Sequence, residues 1–200
     1  MTAATHDYFI LTMDYSEEYC RIDAPLPRPL DKKCWRAAEG ERMGTEYPAG
    51  VRLAMSKRHR GLVIPEYIPN TLLMPMVTGK LKTLLEQESG AEIEFLPFAL
   101  YNHKGRVADP ECFIANVIGT REWADMTRTR GEKSIISPGT FEALHLLHLD
   151  SAKVDPQAKL FRLNIIPRFL IVRDDLRAAF EQHGIKGMKF TAMGERCRLV

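Results

Sequence analysis

The chain has 200 residues, 45% hydrophobic and 27% charged, the composition of a folded globular protein and not of a disordered one. At this length a domain buries roughly 70% of the surface its unfolded chain exposes, so no disulfide or metal staple is needed. Its 28 Lys and Arg face 26 Asp and Glu, a near balance that argues against a dedicated nucleic-acid binder, which carries a marked basic excess. No apolar run approaches the ~20 residues of a membrane span. The opening MTAATHDYFILTMDYSEEYC lacks a basic stretch ahead of its apolar one, so no secretory leader is expected. Cys20, Cys34, Cys112 and Cys197 form no CxxC and have no His at ligand spacing; reduced thiols in a cytoplasmic protein are the expectation.

In chain order, Tyr8–Met13 reads as a first strand, rich in aromatic and β-branched residues. From Asp14 to Pro69 prolines recur at 25, 27, 29, 48, 65 and 69; each fixes φ and removes a backbone donor. This third should be irregular, with weak strands near Val51–Met55 and Gly61–Ile64. Val77, Leu81, Leu84 and Leu85 then fall at helical spacing within 77–88, and Gly90 is the stop. Ala91–Tyr101 is strand-like, with Pro97 implying an edge or a bulge. Asn102–Gly105 signals a turn and Glu111–Ile118 a returning strand.

Arg121–Lys133 is polar and of mixed charge, and is expected to be an exposed, partly helical connection. Strands are expected over Phe141–Leu149, Leu160–Leu163 and Phe169–Val172. Asp174 is placed as the cap of a helix over 175–183 that ends at Gly184, with a short strand from Gly187 to Phe190. Leu72–Phe95 and Phe169–Phe190 thus share one order: apolar strand, amphipathic helix, glycine, short strand ending in Phe. The fold class expected is α+β: a mixed or antiparallel sheet, a few helices packed on one face, and an irregular proline-rich N-terminal third. Residues 1–70 are expected to form a β/loop segment packed on an α+β domain of residues 71–200, one globular unit overall.

Chemistry is hard to find in this sequence. His145 and His148 form an HxxH, but the surrounding leucines favour a strand, where residues three apart face opposite ways. No Glu stands between them as a metalloprotease base. There is no GxxxxGK[ST], GxGxxG or GxSxG. No catalytic residue, metal or cofactor is expected. The clusters Lys57–Arg60 and Arg128–Lys133 lack interleaved aromatics that could stack on bases. The run Asp14–Tyr19 places tyrosines among acids, a composition suited to protein recognition as well as to a solvated turn.

Val77–Gly90, Glu94–Phe98, Asn102–Gly105, Phe113–Ile118, Leu160–Leu163, Phe169–Val172 and Asp174–Phe190 together resemble immunity protein family eleven of the bacterial polymorphic toxin systems. The likeness runs over residues 72–190, more loosely before them, and rests on strands and turns. It implies a cytoplasmic protein that neutralises a toxin encoded nearby by tight binding, with no membrane or nucleic acid as partner. Exposed sheet edges would also permit a homodimer. Tight inhibition needs aromatic or Arg anchors, and Tyr15, Tyr19, Trp35, Tyr47, Arg58, Trp123 and Arg128 are the candidates. Two competing readings are an enzyme that reverses a toxin's modification of its target, with His145, His148 and Cys112 as the residues to inspect, and a nucleic-acid or regulatory adaptor using the basic clusters.

Overall fold

The computed structural model describes residues 6–200. A four-stranded antiparallel sheet contains β1 (Tyr8–Met13), β9 (Leu160–Arg162), β10 (Leu170–Arg173) and β11 (Met188–Ala192), in the order β11-β1-β10-β9. A five-stranded sheet is built from β2 (Arg52–Ala54), β3 (Tyr67–Ile68), β4 (Met76–Thr78), β5 (Ile93–Tyr101) and β6 (Val107–Val117), in the order β2-β5-β6-β4-β3. Only β2 and β5 run parallel in it. A third sheet, β12-β8-β7, joins β7 (Arg130–Lys133), β8 (Phe141–Leu146) and β12 (Arg196–Leu199). The helices are α1 (Cys34–Glu39), α2 (Gly79–Glu88) and α3 (Asp174–Gln182). The class is α+β, in three sheets where one was expected.

The period of two along each strand sorts side chains into three cores. Leu96, Phe98 and Leu100 of β5, with Cys112 and Ile114 of β6, face a first core completed by the proline-rich segment through Ile22, Leu26, Leu30 and Ala37. Their neighbours Ala115 and Val117 face a second core with Leu81, Leu84 and Leu85 of α2 and Leu176 and Phe180 of α3. Leu11 of β1 and Leu170 and Val172 of β10 close that core from the four-stranded sheet. Ile10, Phe161 and Ile171 point the other way, into a third core under β8 and β12. The helices α2 and α3 therefore lie between two sheets, whereas α1 packs on the opposite face of the five-stranded one.

The repeated strand–helix–strand order is realised in the topology. β4 and β5 flank β6 and both run antiparallel to it. β10 and β11 flank β1 in the same manner. Each unit is a split crossover with one antiparallel strand inserted between its parallel strands, and the two helices meet in the second core.

Local chemistry explains most boundaries. The helix expected from Val77 starts at Gly79 because Met76–Thr78 pair with Cys112–Ile114; an apolar Val77 suits either period, and the ladder wins. In the β5–β6 turn the Asn102 side-chain oxygen accepts the N–H groups of Lys104 (2.9 Å) and Arg106 (3.1 Å). Pro97 sits where β5 has no partner on its β2 side, just before a register shift between Phe98 and Leu100. α3 begins at Asp174, one residue before the expected start, and its end is closed by Ile185 N–H to Phe180 (3.0 Å) and Gly184 N–H to Glu181 (3.1 Å). Gly184 takes φ +62° there, the left-handed residue of a Schellman motif.

Two expectations are corrected. Gly61–Ile64 is no strand; only Val63 makes an isolated bridge, to Tyr19. Arg121–Lys133 holds no helix: Arg121 bridges Leu163, Ala124 bridges Leu149, and Arg130–Lys133 is the edge strand β7. Its polar composition suits an edge, which charges protect from further pairing.

Where the layers meet, Arg162 of β9 is fully buried. Its guanidinium donates to the carbonyls of Val117 (2.9 Å), Ala38 (2.7 Å), Pro167 (2.6 Å) and Ala37 (3.4 Å). These lie on β6, on the last turn of α1 and on the loop before β10. Among the described residues no carboxylate pairs with it. Burial lowers its pKa to about 10, so it remains a cation at neutral pH, satisfied by the negative end of α1.

Candidate partner-binding surface

Cys112, His145 and His148, the residues singled out for an enzyme, do not form one group. Cys112 lies fully buried on β6, and burial pushes its thiol well above the usual range; Cys20 beside it in the same core is pushed up to about 12. All four cysteines are free, and these two are poor nucleophiles. His145 stands on the exposed side of β8, 3.5 Å from Glu132. The ring of His148 lies over Gly194, where a Cβ would come within 2.8 Å of it. Cys112 thus belongs to the five-stranded sheet and both histidines to the region of the three-stranded one. Among the described residues no three His, Cys, Asp or Glu gather as a metal site, and no helix is long and apolar enough to cross a membrane.

The candidate anchors divide by their packing. Tyr19 is only 8% exposed, and its carbonyl is held by the His59 ring at 2.7 Å. The hydroxyl of Tyr47 donates to the Pro97 carbonyl (2.9 Å), and burial raises its pKa. Trp123 meets Phe161 edge to face at 4.9 Å, with the Arg121 guanidinium 5.7 Å above its ring. These three side chains are committed largely to the fold. Trp35 on α1 and Tyr15 are about half exposed, and Arg58 and Arg128 are exposed.

Three of these four line separate clefts. Tyr15 borders an apolar cleft of about 230 Å³ floored by Leu11, Met13, Tyr67 and Phe169. Arg58 lines another beside Asp23 and Pro25. Arg128 stands at the mouth of a third, of about 670 Å³, with Phe9 and His148. The apolar cleft is shaped by Asn70, a fully buried side chain. Its amide nitrogen donates to the carbonyls of Ile68 (3.1 Å) and Met74 (2.8 Å), and its oxygen accepts from the N–H groups of Leu72 and Met74 (both 3.1 Å). This network holds Leu73 at φ +54° on the rim of the cleft, a conformation that costs a branched residue roughly 1 kcal/mol or more.

The most exposed of the large apolar side chains were not among the candidates. Ile135 and Ile136, in the loop joining β7 to β8, are each 92% exposed. The loop is tied beneath them. Ser134 N–H donates to the Thr140 carbonyl (3.0 Å), Thr140 N–H to the Ser137 carbonyl (3.1 Å) and Ser137 N–H to the Ser134 hydroxyl (3.1 Å). Below the loop, Gly131 allows the two strands to approach: a Cβ there would lie 2.3 Å from the Ala143 carbonyl. Two register shifts bend the ladder at this point. The available signal was an apolar pair inside a Ser/Pro/Gly stretch, Ser134–Gly139, which reads as a turn and not as a core strand.

Three sheets, with Cys20 and Cys112 buried in the first core and two isoleucines exposed on a hairpin loop, define an α+β protein. The family model described as Immunity protein family (Imm11) matches residues 12–195, and the chain belongs to that family. The match begins inside β1 and ends just before β12, so it takes in the proline-rich third that the resemblance reached only loosely. Comparison with curated proteins finds no match.

Proposed function

We propose that this protein is an immunity protein that neutralises a cognate toxin of bacterial competition by direct protein–protein contact in the cytoplasm, without catalysis and without a cofactor. The observation that carries this reading is the family match over residues 12–195. The separation of Cys112 from His145 and His148 supports binding over reversal of a toxin's modification. The adaptor reading has less support, since Arg130 of the second basic cluster commits one guanidinium nitrogen to the Thr127 (2.6 Å) and Thr129 (2.9 Å) carbonyls of its own turn.

The test is coexpression with the product of each flanking open reading frame. One of the two should be toxic alone and harmless with this protein, and its inactivated form should copurify in a stoichiometric complex that survives high salt. Failure of both frames to show rescue or a complex would sink the reading.

A further inference from the structure

We infer that the β7–β8 hairpin tip is the part of this protein that enters the toxin, with Ile135 and Ile136 seated together in an apolar pocket of that partner. The inference rests on the immunity reading and assigns it a contact surface.

Exposed apolar residues are ordinary when scattered singly. Here two adjacent isoleucines are each 92% exposed on one loop. The hydrogen bonds among Ser134, Ser137 and Thr140 hold the loop in shape below them. Such pre-organisation reduces the ordering cost of association. The flanks are polar: Ser134 and Ser137 within the loop, Glu132, Lys133 and Glu142 on the strands below it. An apolar centre with a polar surround is the anatomy of a recognition patch.

A second copy of this chain is a poor occupant. By transfer bookkeeping each isoleucine offers on the order of 100 Å², so two tips together bury about 400 Å², well short of the ~1,200 Å² of a stable interface. Two convex loops also do not enclose one another. The tip needs a concave, apolar partner surface. The charges beside the tip are mixed, Arg130 and Lys133 against Glu132 and Glu142, and form no basic cluster of the kind that draws a chain to anionic headgroups.

The test uses the full chain and the inactivated toxin recovered in the coexpression experiment. Replacing Ile135→Ser and Ile136→Ser together should weaken Kd at least about 100-fold, mostly through faster dissociation, and abolish protection in cells. Leu62→Ser, at a 63% exposed site elsewhere, should leave both unchanged. Wild-type protein that captures the toxin while the double variant captures it within about threefold would overturn the tip assignment and leave the immunity reading standing. Capture by neither would overturn both. Wild-type binding to phosphatidylglycerol vesicles that the double variant loses, with toxin affinity retained, would overturn the protein pocket in favour of a membrane.

Discussion

The junction around Arg162 and the tip of the β7–β8 hairpin are opposites. At the first, a full charge is withdrawn from water and given carbonyl acceptors from three separate elements. At the second, two apolar side chains are held in water by a loop whose own polar groups bond beneath them. Both break the rule that polar residues go outside and apolar ones inside. The buried exception is satisfied within the chain, so its work is to fix how the layers meet. The exposed exception is not satisfied within the described chain, and the proposed toxin contact would complete it. Whether a residue that breaks the rule is complete within the molecule therefore separates scaffold from interface here.

The sharpest way to break this comparison is Arg162→Met. The four carbonyls would lose their donors inside a region that admits little water, at ~1–3 kcal/mol for each group left unpaired. Partial repair by water and relief of the buried charge reduce that sum, and we expect a loss of about 3–5 kcal/mol in urea unfolding. Arg162→Lys should recover less than half, since one ammonium cannot fork toward three elements. A loss below about 1 kcal/mol for the methionine variant would show that the layers hold without the clasp. Gly40 tests the same place by steric means: at φ +86° a Cβ would lie 2.9 Å from the Val117 carbonyl and 3.0 Å from Arg162 Cδ. Gly40→Ala should therefore cost about 1–3 kcal/mol.

Asn70 is the next step down. Asn70→Ala removes four hydrogen bonds around the strained Leu73 turn and should cost about 2–3 kcal/mol. Leu73→Gly in that background should return part of the loss, because glycine takes positive φ without strain. The readout is again the urea midpoint, with m unchanged if the denatured state is unaffected.

How much of this was legible depends on whether a residue answers to its neighbours in sequence or in space. Strand β1, the β5–β6 hairpin with its Asn102 turn, α2 and α3 were readable because periodicity and punctuation are local. α1 was missed because Cys34–Glu39 is short and shows no long apolar stripe. β12 and β3 are only four and two residues long and are defined by their partners. Arg162 sat in an apolar run with nothing to mark it as buried. Of the anchors, aromatic identity led to Tyr19, Tyr47 and Trp123, which the fold uses for itself. By residue type the isoleucine pair looks like core, and only its setting, the turn-forming stretch Ser134–Gly139, marks it as exposed.

Acid stability should expose a smaller effect near the Arg162 junction. Burial alone would raise the Glu94 carboxyl, but N–H groups of Met43 (2.8 Å) and Gly44 (2.7 Å) and the Asn116 amide (3.1 Å) outweigh it and hold the pKa below the usual range. A carboxylate depressed in the folded state contributes stability above its unfolded pKa of about 4.3 and loses it as pH falls through the folded value. Arg173, paired through two nitrogens at 2.8 and 2.7 Å, depresses Asp175 in the same direction. Unfolding free energy should therefore be level from pH 7 to 5 and decline below about pH 4. Glu94→Gln should cost about 1–2 kcal/mol at pH 7 and give a shallower acid limb. An equally steep limb would remove Glu94 from the account.

The smallest expected effect bears most directly on the comparison. Ile135→Ser with Ile136→Ser should change unfolding free energy by no more than about 0.5 kcal/mol, because neither side chain has native contacts of consequence to lose. The tip must be inert toward folding if its apolar surface exists for a partner. A loss of about 2 kcal/mol or more would mean that these isoleucines pack against the protein in solution, and the tip would then belong with Arg162 as scaffold. Gly131→Ala separates the pair from its support. A Cβ there would drive into the Ala143 carbonyl at 2.3 Å and the Phe141 ring at 2.7 Å, so it should splay the hairpin and cost about 1–3 kcal/mol. It should also weaken toxin binding although both isoleucines remain. Normal affinity in that variant would show that the isoleucines act without the geometry that presents them.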